Sequence, residues 1–302
     1  MTLVITTVSP ETVVQVSDTR LIDLADGSER SDRLRKSLIV TGTQAQFAIG
    51  WCGLATDDRS YRTGDWLFRA LYEMNAVKLS PDEIVRNLAQ LATSRFGTLI
   101  ALDKRCEFAL GGWDTSGPFV GVVSNHHTLN SQEQADTGPR HHIPSFSTER
   151  VPANEFKGWI ERFRNLTEHD FVVGVIGDCD ARKLRTHFEG LNNLLKKRAS
   201  AATISGACRQ IVLEAANHSN TIGRDLIALE IDRKGQSQCA YYSEAGAEVM
   251  LVPDMLSLQG GSTQMTLRPV LSGGQMKVRL QGKIIRYPQG PAPAAVESDP
   301  RA

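Results

Sequence analysis

Apolar positions near the start of the chain fall in short runs with polar breaks. Residues 2–8 and 12–18 are rich in Val, Ile and Thr, and Ser9-Pro10-Glu11 separates them. Branched runs of this length around a turn predict two strands in a hairpin that begins at the second residue. Residues 19–35 are polar, with Asp26-Gly27-Ser28 as a turn, and predict a loop or weak hairpin. Apolar runs at 36–40 and 45–51, broken at Thr41-Gly42-Thr43, predict a second hairpin. The period then changes. Trp66, Leu67, Ala70, Leu71 and Met74 recur at helical spacing over 64–76. Ser80-Pro81-Asp82-Glu83 has the form of a capping box with proline at the first helical position, and Ile84, Leu88 and Leu91 supply the apolar face of the helix it opens.

Strands are expected again at 98–102, 106–112 and 119–124, with a strong turn at 113–118 between the last two. Residues 125–150 are polar and hold four of the seven histidines, including the pairs His126-His127 and His141-His142. Neighbouring side chains of a strand point to opposite faces, so neither pair is suited to share a metal, and a solvated loop is expected. A helix is expected over 152–166, a strand over 171–176, helices over 179–197 and 200–217, and closing strands over 225–232 and 237–243.

Strands come in adjacent groups with helices in pairs between them. That order predicts an α+β fold: two stacked antiparallel sheets with a helical layer on each outer face, a four-layer αββα sandwich. Residues 2–245 make the main domain, with an insertion at about 125–170. Residues 246–287 form a C-terminal extension that adds strands, and the Pro/Ala-rich residues 288–302 are expected to be disordered.

Composition narrows the function. Of 302 residues 41% are hydrophobic and 23% charged, and the formal net charge is +0. No overall basic charge recruits nucleic acid or an acidic membrane. The run Lys196-Lys197-Arg198 reads as a solvated helix end. The five cysteines are scattered without CxxC spacing, which fits reduced thiols in the cytoplasm rather than disulfides or zinc. The N-terminus lacks the basic and long apolar segments of a signal peptide, and no stretch approaches the ~18 apolar residues of a membrane span.

The candidate chemistry lies at the N-terminus. A threonine hydroxyl needs a base, and a free α-amino group, with an ordinary pKa of about 7.7–8.0, can serve if threonine is the first residue. Thr2 follows only Met1, and a small second residue permits methionine removal. Asp18, sixteen residues on, returns beside Thr2 if the first two strands pair. Lys36 opens the next hairpin, where its charge favours deprotonation of a neighbouring amine or hydroxyl and Asp18 can hold it. By pattern alone these are also ordinary strand-end charges.

Thr2, Asp18 with Arg20, Lys36, and Gly53-Leu54-Ala55-Thr56-Asp57 together resemble the N-terminal half of a proteasome β-subunit, a member of the N-terminal nucleophile hydrolases. Gly112-Trp113-Asp114 through Gly117-Pro118 is similar to that family's central hairpin. The resemblance implies a threonine peptidase with catalytic Thr2, Asp18 and Lys36. Gly53 would stabilise the oxyanion through its N–H, Ala55 would border the substrate pocket, and Arg20 would stand with them. It implies no cofactor or metal, a peptide or protein substrate, and a homo-oligomer such as a ring. It leaves ring size and any ATPase partner open. The sequence departs from the family where Asn220 and Gly223 replace an aspartate and a serine of Asp-x-x-Ser-Gly-Gly, and where Gly177-Asp178 stands for Ser-Gly. Asn220, Gly223 and Asp178 are thus the weak supporting candidates. Two other readings stay open: an amidohydrolase acting on a small amide, and a non-catalytic structural or partner-binding subunit.

Overall fold

Ser9 closes the first turn from both sides. Its N–H donates to the Thr12 carbonyl at 2.9 Å, and its hydroxyl accepts the Thr12 N–H at 2.9 Å. The strands it joins are β1 (Leu3–Val8) and β2 (Thr12–Asp18). The computed structural model describes residues 3–22, 29–31, 36–55, 62–99, 104–125, 141–142, 155–162, 171–177, 183–234, 236–246, 248–251, 254–259, 262–266, 277–280 and 283–286.

The remaining strands are β3 (Leu21–Ile22), β4 (Glu29–Ser31), β5 (Ser37–Thr41), β6 (Ala45–Gly53), β7 (Cys106–Asp114), β8 (Gly117–Ser124), β9 (His141–His142), β10 (Lys157–Arg162), β11 (Val172–Gly177), β12 (Leu226–Asp232), β13 (Ser237–Tyr242), β14 (Glu248–Leu251), β15 (Met255–Gln259), β16 (Ser262–Thr266), β17 (Lys277–Leu280) and β18 (Lys283–Arg286). Among the described residues four α-helices join them: α1 (Thr63–Glu73), α2 (Pro81–Gly97), α3 (Arg185–Lys196) and α4 (Ala201–His218). One seven-stranded sheet has the order β14-β13-β12-β2-β1-β11-β9, a second has β10-β8-β7-β6-β5-β15-β16, and β3-β4 and β17-β18 are separate pairs.

The two large sheets face each other. Val4 of β1 packs with Ile176 of its own sheet and with Cys52 and Ala109 of the other. Leu3 and Ile5 point the opposite way and pack with Phe188, Leu191, Ile211 and Val212 of α3 and α4. The second sheet buries Phe47, Phe108 and Leu110 against Leu67, Leu71, Leu88 and Phe96 of α1 and α2. Strands covered on both faces need apolar residues at successive positions rather than in alternation, which is why β1 and β5 read as continuous runs.

The sequence-based elements need five corrections. Both sheets are mixed rather than purely antiparallel, because β9 pairs in parallel with β11 and β15 in parallel with β5. His141 and His142 therefore lie in a short edge strand. A helix is expected over 152–166, but 157–162 form β10, antiparallel to β8. Gly158 permits this: a Cβ there would lie 2.4 Å from a Val85 methyl, so the glycine lets α2 press onto the edge strand, and a covered edge is the gain. Residues 98 and 99 cap α2 instead of starting a strand. Thr98 donates its hydroxyl to the Arg95 carbonyl at 2.7 Å, and residues 100–103 lie outside the described residues. Leu91 is 41% exposed. The buried face of α2 (Ile84, Val85, Leu88, Ala89, Ala92 and Phe96) centres near Ala92, about 100° from Leu91 at 3.6 residues per turn. The capping box forms as expected, with Ser80 and Glu83 each bonding the other's backbone N–H.

Cys52, Cys106, Cys208 and Cys239 are buried thiols outside any disulfide, and Cys179 is outside the described residues. No helix among the described residues is long and apolar enough to cross a membrane.

Candidate active site

Asp18 ends β2 and enters no solvent: its side chain is 0% exposed. Its carboxylate collects four donors. Oδ1 accepts the Leu3 N–H at 3.0 Å. Oδ2 accepts the Arg20 N–H at 3.1 Å, the Lys36 ammonium at 3.1 Å and the Gly223 N–H at 3.2 Å. Burying a carboxylate is costly unless it is paired and hydrogen-bonded, and both conditions are met here. The β1–β2 register, with Val4 opposite Ser17, brings the start of β1 to the end of β2.

Lys36 comes just before β5 and is 1% exposed. Besides Asp18, its ammonium donates to the Arg20 carbonyl at 2.7 Å. Its own carbonyl accepts the Trp51 N–H at 2.9 Å, so the Lys36 end of β5 lies beside the end of β6. Two residues past Trp51, Gly53 closes β6 with φ +95°. A Cβ there would lie 2.1 Å from the Arg105 carbonyl oxygen, so both conformation and space require glycine. The following N–H, of Leu54, donates to that same carbonyl at 2.7 Å. Ala55 is half-buried, packs against the α1/α2 core and accepts the Thr63 N–H at 3.0 Å.

Arg20 holds the turn after α4. One guanidinium nitrogen donates to the carbonyls of Asn220 at 3.1 Å and Ile222 at 3.4 Å. Asp225 anchors the far side of that turn: its carbonyl accepts the Thr19 N–H at 3.0 Å, and its carboxylate accepts the Tyr241 hydroxyl and the Glu244 N–H. The fold thus brings Asp18, Lys36, Arg20, Asn220 and Gly223 together, with Asn220 and Gly223 contributing backbone groups. Gly53 stands at the neighbouring strand end, and Ala55 two residues on. Thr2 and Asp178 lie outside the described residues, although their neighbours Leu3 and Gly177 are opposite each other in the β1–β11 pairing.

One buried acid beneath these residues escaped the sequence reading. Glu107, 1% exposed on β7, accepts the Ser124 hydroxyl at 3.0 Å, the Gly177 N–H at 3.3 Å and the Cys52 thiol at 3.6 Å. Burial pushes its carboxyl above the usual range against the pull of those donors. Burial and the Glu107 carboxylate together push the Cys52 thiol well up, while Lys36 pulls it down. A lone glutamate within Cys106-Glu107-Phe108-Ala109-Leu110 was the signal available in the sequence.

The site is thus a buried aspartate–lysine pair at the end of β2, next to Leu3 at the start of β1. No family model matches the chain, and no curated protein matches it. Among solved structures it is similar to Anbu (ancestral beta-subunit) from Yersinia bercovieri, at 11% identity and a TM-score of 0.47, over 76% of this chain and 80% of that one. It is also similar to a Gly-1 mutant of Anbu from Hyphomicrobium sp. strain MC1, at 9% identity and a TM-score of 0.48, over 83% and 86%. These findings correct the resemblance to the proteasome β-subunits stated from Thr2, Asp18, Lys36 and the Gly53–Asp57 segment. The named neighbours are Anbu proteins, a family distinct from the proteasome β-subunits, and no family model or sequence relative places the chain among the N-terminal nucleophile hydrolases. What the site can do follows from its own geometry.

Proposed function

We propose that this protein is a threonine-type peptidase that cleaves amide bonds through Thr2 after Met1 is removed. One observation carries the reading: the Asp18 carboxylate holds both the N–H of Leu3, the residue after Thr2, and the Lys36 ammonium. That arrangement fixes the backbone beside Thr2 next to a buried positive charge, as an N-terminal nucleophile requires. The Thr2 hydroxyl attacks the carbonyl, the Thr2 α-amine takes the proton, directly or through water, and the Lys36 charge favours both events. The N–H of Gly53 steadies the oxyanion, and Ala55 borders the substrate. The adduct then collapses: the C–N bond breaks, the proton taken by the Thr2 amine passes to the departing amine, and an ester of Thr2 remains, which water hydrolyses to free the acid and restore the Thr2 hydroxyl. Arg20 buttresses the 220–223 turn, so its part is to support Asp18. We place the enzyme in the cytoplasm, in keeping with its scattered thiols, as a homo-oligomer that shields the Thr2 sites.

Intact mass of protein from its native host tests the first requirement, a chain shorter by Met1. Thr2→Ala should then abolish hydrolysis of peptide substrates with the melting temperature unchanged. Full activity with Met1 attached, or wild-type turnover in Thr2→Ala, overturns the mechanism.

A further inference from the structure

Asp18 is not the only acid in the core among the described residues. The Glu107 carboxylate joins four strands: its own β7, β6 through Cys52, β8 through Ser124 and β11 through Gly177. The last of these contacts crosses from one large sheet to the other. Gly177 lies opposite Leu3 in the β1–β11 pairing, and Leu3 donates to Asp18. A line of contacts therefore runs from Glu107 through Gly177 and Leu3 to Asp18 and Lys36. On the other side Cys52 precedes Gly53, and its thiol feels both Glu107 and Lys36.

The geometry points to Glu107 as a second acidic group of this site, a positioning residue that holds the Gly177 end of β11, and with it the Leu3 end of β1 paired to it, against the opposite sheet, and whose ionisation sets that hold. Ionised, the carboxylate accepts all three donors. Protonated, it donates one O–H to Ser124, whose hydroxyl can turn and accept, while the other oxygen keeps Gly177 through a weaker bond to a neutral acceptor. Glu107→Gln copies the protonated form, with its amide N–H₂ toward Ser124. The groups facing Glu107 are the Cys52 and Cys106 thiols, held neutral by burial, the Ser124 hydroxyl, and Lys36 beyond Cys52. Because burial raises Glu107 above 4.5, the folded chain binds this proton more tightly than the unfolded chain. The stability so gained is complete below the unfolded value and is lost as pH rises through the folded value.

The effect on activity rests on the Thr2 reading; the hold on Gly177 does not, and the two are measured separately. In glycine-labelled protein the Gly177 amide resonance should titrate with a midpoint above 4.5 and stay flat in Glu107→Gln. Over the same pH range the melting temperature of Glu107→Gln should rise relative to wild type. A Gly177 amide that does not move in wild type, or moves equally in the variant, overturns the proposal. For peptide hydrolysis, Glu107→Ala should lower kcat/KM on the order of 100-fold, the cost of a small misplacement. Glu107→Gln should restore most of it while removing the pH dependence assigned to Glu107. A pH profile unchanged in Glu107→Gln overturns the link to the site. A wild-type protein that hydrolyses no peptide while Gly177 titrates overturns the Thr2 reading and leaves the hold standing.

Discussion

Removing either partner of the Asp18–Lys36 pair should destabilise the fold, and by different amounts. Breaking a buried ion pair from one side costs about 3–5 kcal/mol, because a charge is left without its counter-charge. Lys36→Met leaves the Asp18 carboxylate with three backbone donors, from Leu3, Arg20 and Gly223. Its cost belongs at the low end, about 3 kcal/mol. Asp18→Ala removes the carboxylate beside the buried Lys36 ammonium and strips the acceptor from those three N–H groups, so its cost belongs at the high end, about 5 kcal/mol. The double variant contains neither charge and should cost less than the sum by roughly 2–3 kcal/mol, the coupling of contacting residues. At about 2–4 °C per kcal/mol for a domain of this size, Lys36→Met lowers the melting temperature by about 6–12 °C. Urea unfolding followed by circular dichroism measures all three variants. Either single variant within about 0.5 kcal/mol of wild type, or strict additivity in the double, would refute the account of the pair as a buried, mutually dependent unit.

Gly53→Ala should cost about 1–3 kcal/mol through its positive φ, and more through the contact with the Arg105 carbonyl; a wild-type unfolding curve refutes the need for glycine at that strand end. Light scattering at micromolar concentration should give a mass above the 33.1 kDa of one chain. A clean monomer that still hydrolyses peptides refutes the shielded assembly and leaves the Thr2 chemistry standing.

The hairpins β1–β2 and β5–β6 were legible because local chemistry writes them: branched runs on either side of Ser9-Pro10-Glu11 and of Thr41-Gly42-Thr43. The start of α2 was legible for the same reason, since a capping box depends only on residues three apart. What was lost depends on distant partners. β10 is a strand because β8 offers an edge and α2 covers it, and nothing within 152–166 announces either neighbour. The parallel pairing of β15 with β5 joins residues far apart in sequence. Leu91 falls at helical spacing with Ile84 but on the wrong side of the face that α2 buries. In the site, spacing alone left Asp18 and Lys36 as ordinary strand-end charges, and a family resemblance singled them out; the N–H groups of Leu3 and Gly223 meet Asp18 only when strand ends and a turn converge.

That last distinction changes the weight of the departures at Asn220 and Gly223. The proteasome β-subunit pattern, which the comparisons overturn for this chain, has an aspartate and a serine at those places. The chain instead meets Asp18 with the N–H of Gly223, and meets Arg20 with the carbonyls of Asn220 and Ile222. Backbone groups are present whatever residue occupies the position, so Gly223 bonds the Asp18 carboxylate without a side chain. The requirement moves to the shape of the turn, which is held by Arg20 on one side and by Asp225, with Thr19 and Tyr241, on the other. Residues far from the expected motif thereby carry its structural part. Arg20 is then tied to this environment in two ways: its backbone N–H and carbonyl meet Asp18 and Lys36, and its side chain alone reaches the turn.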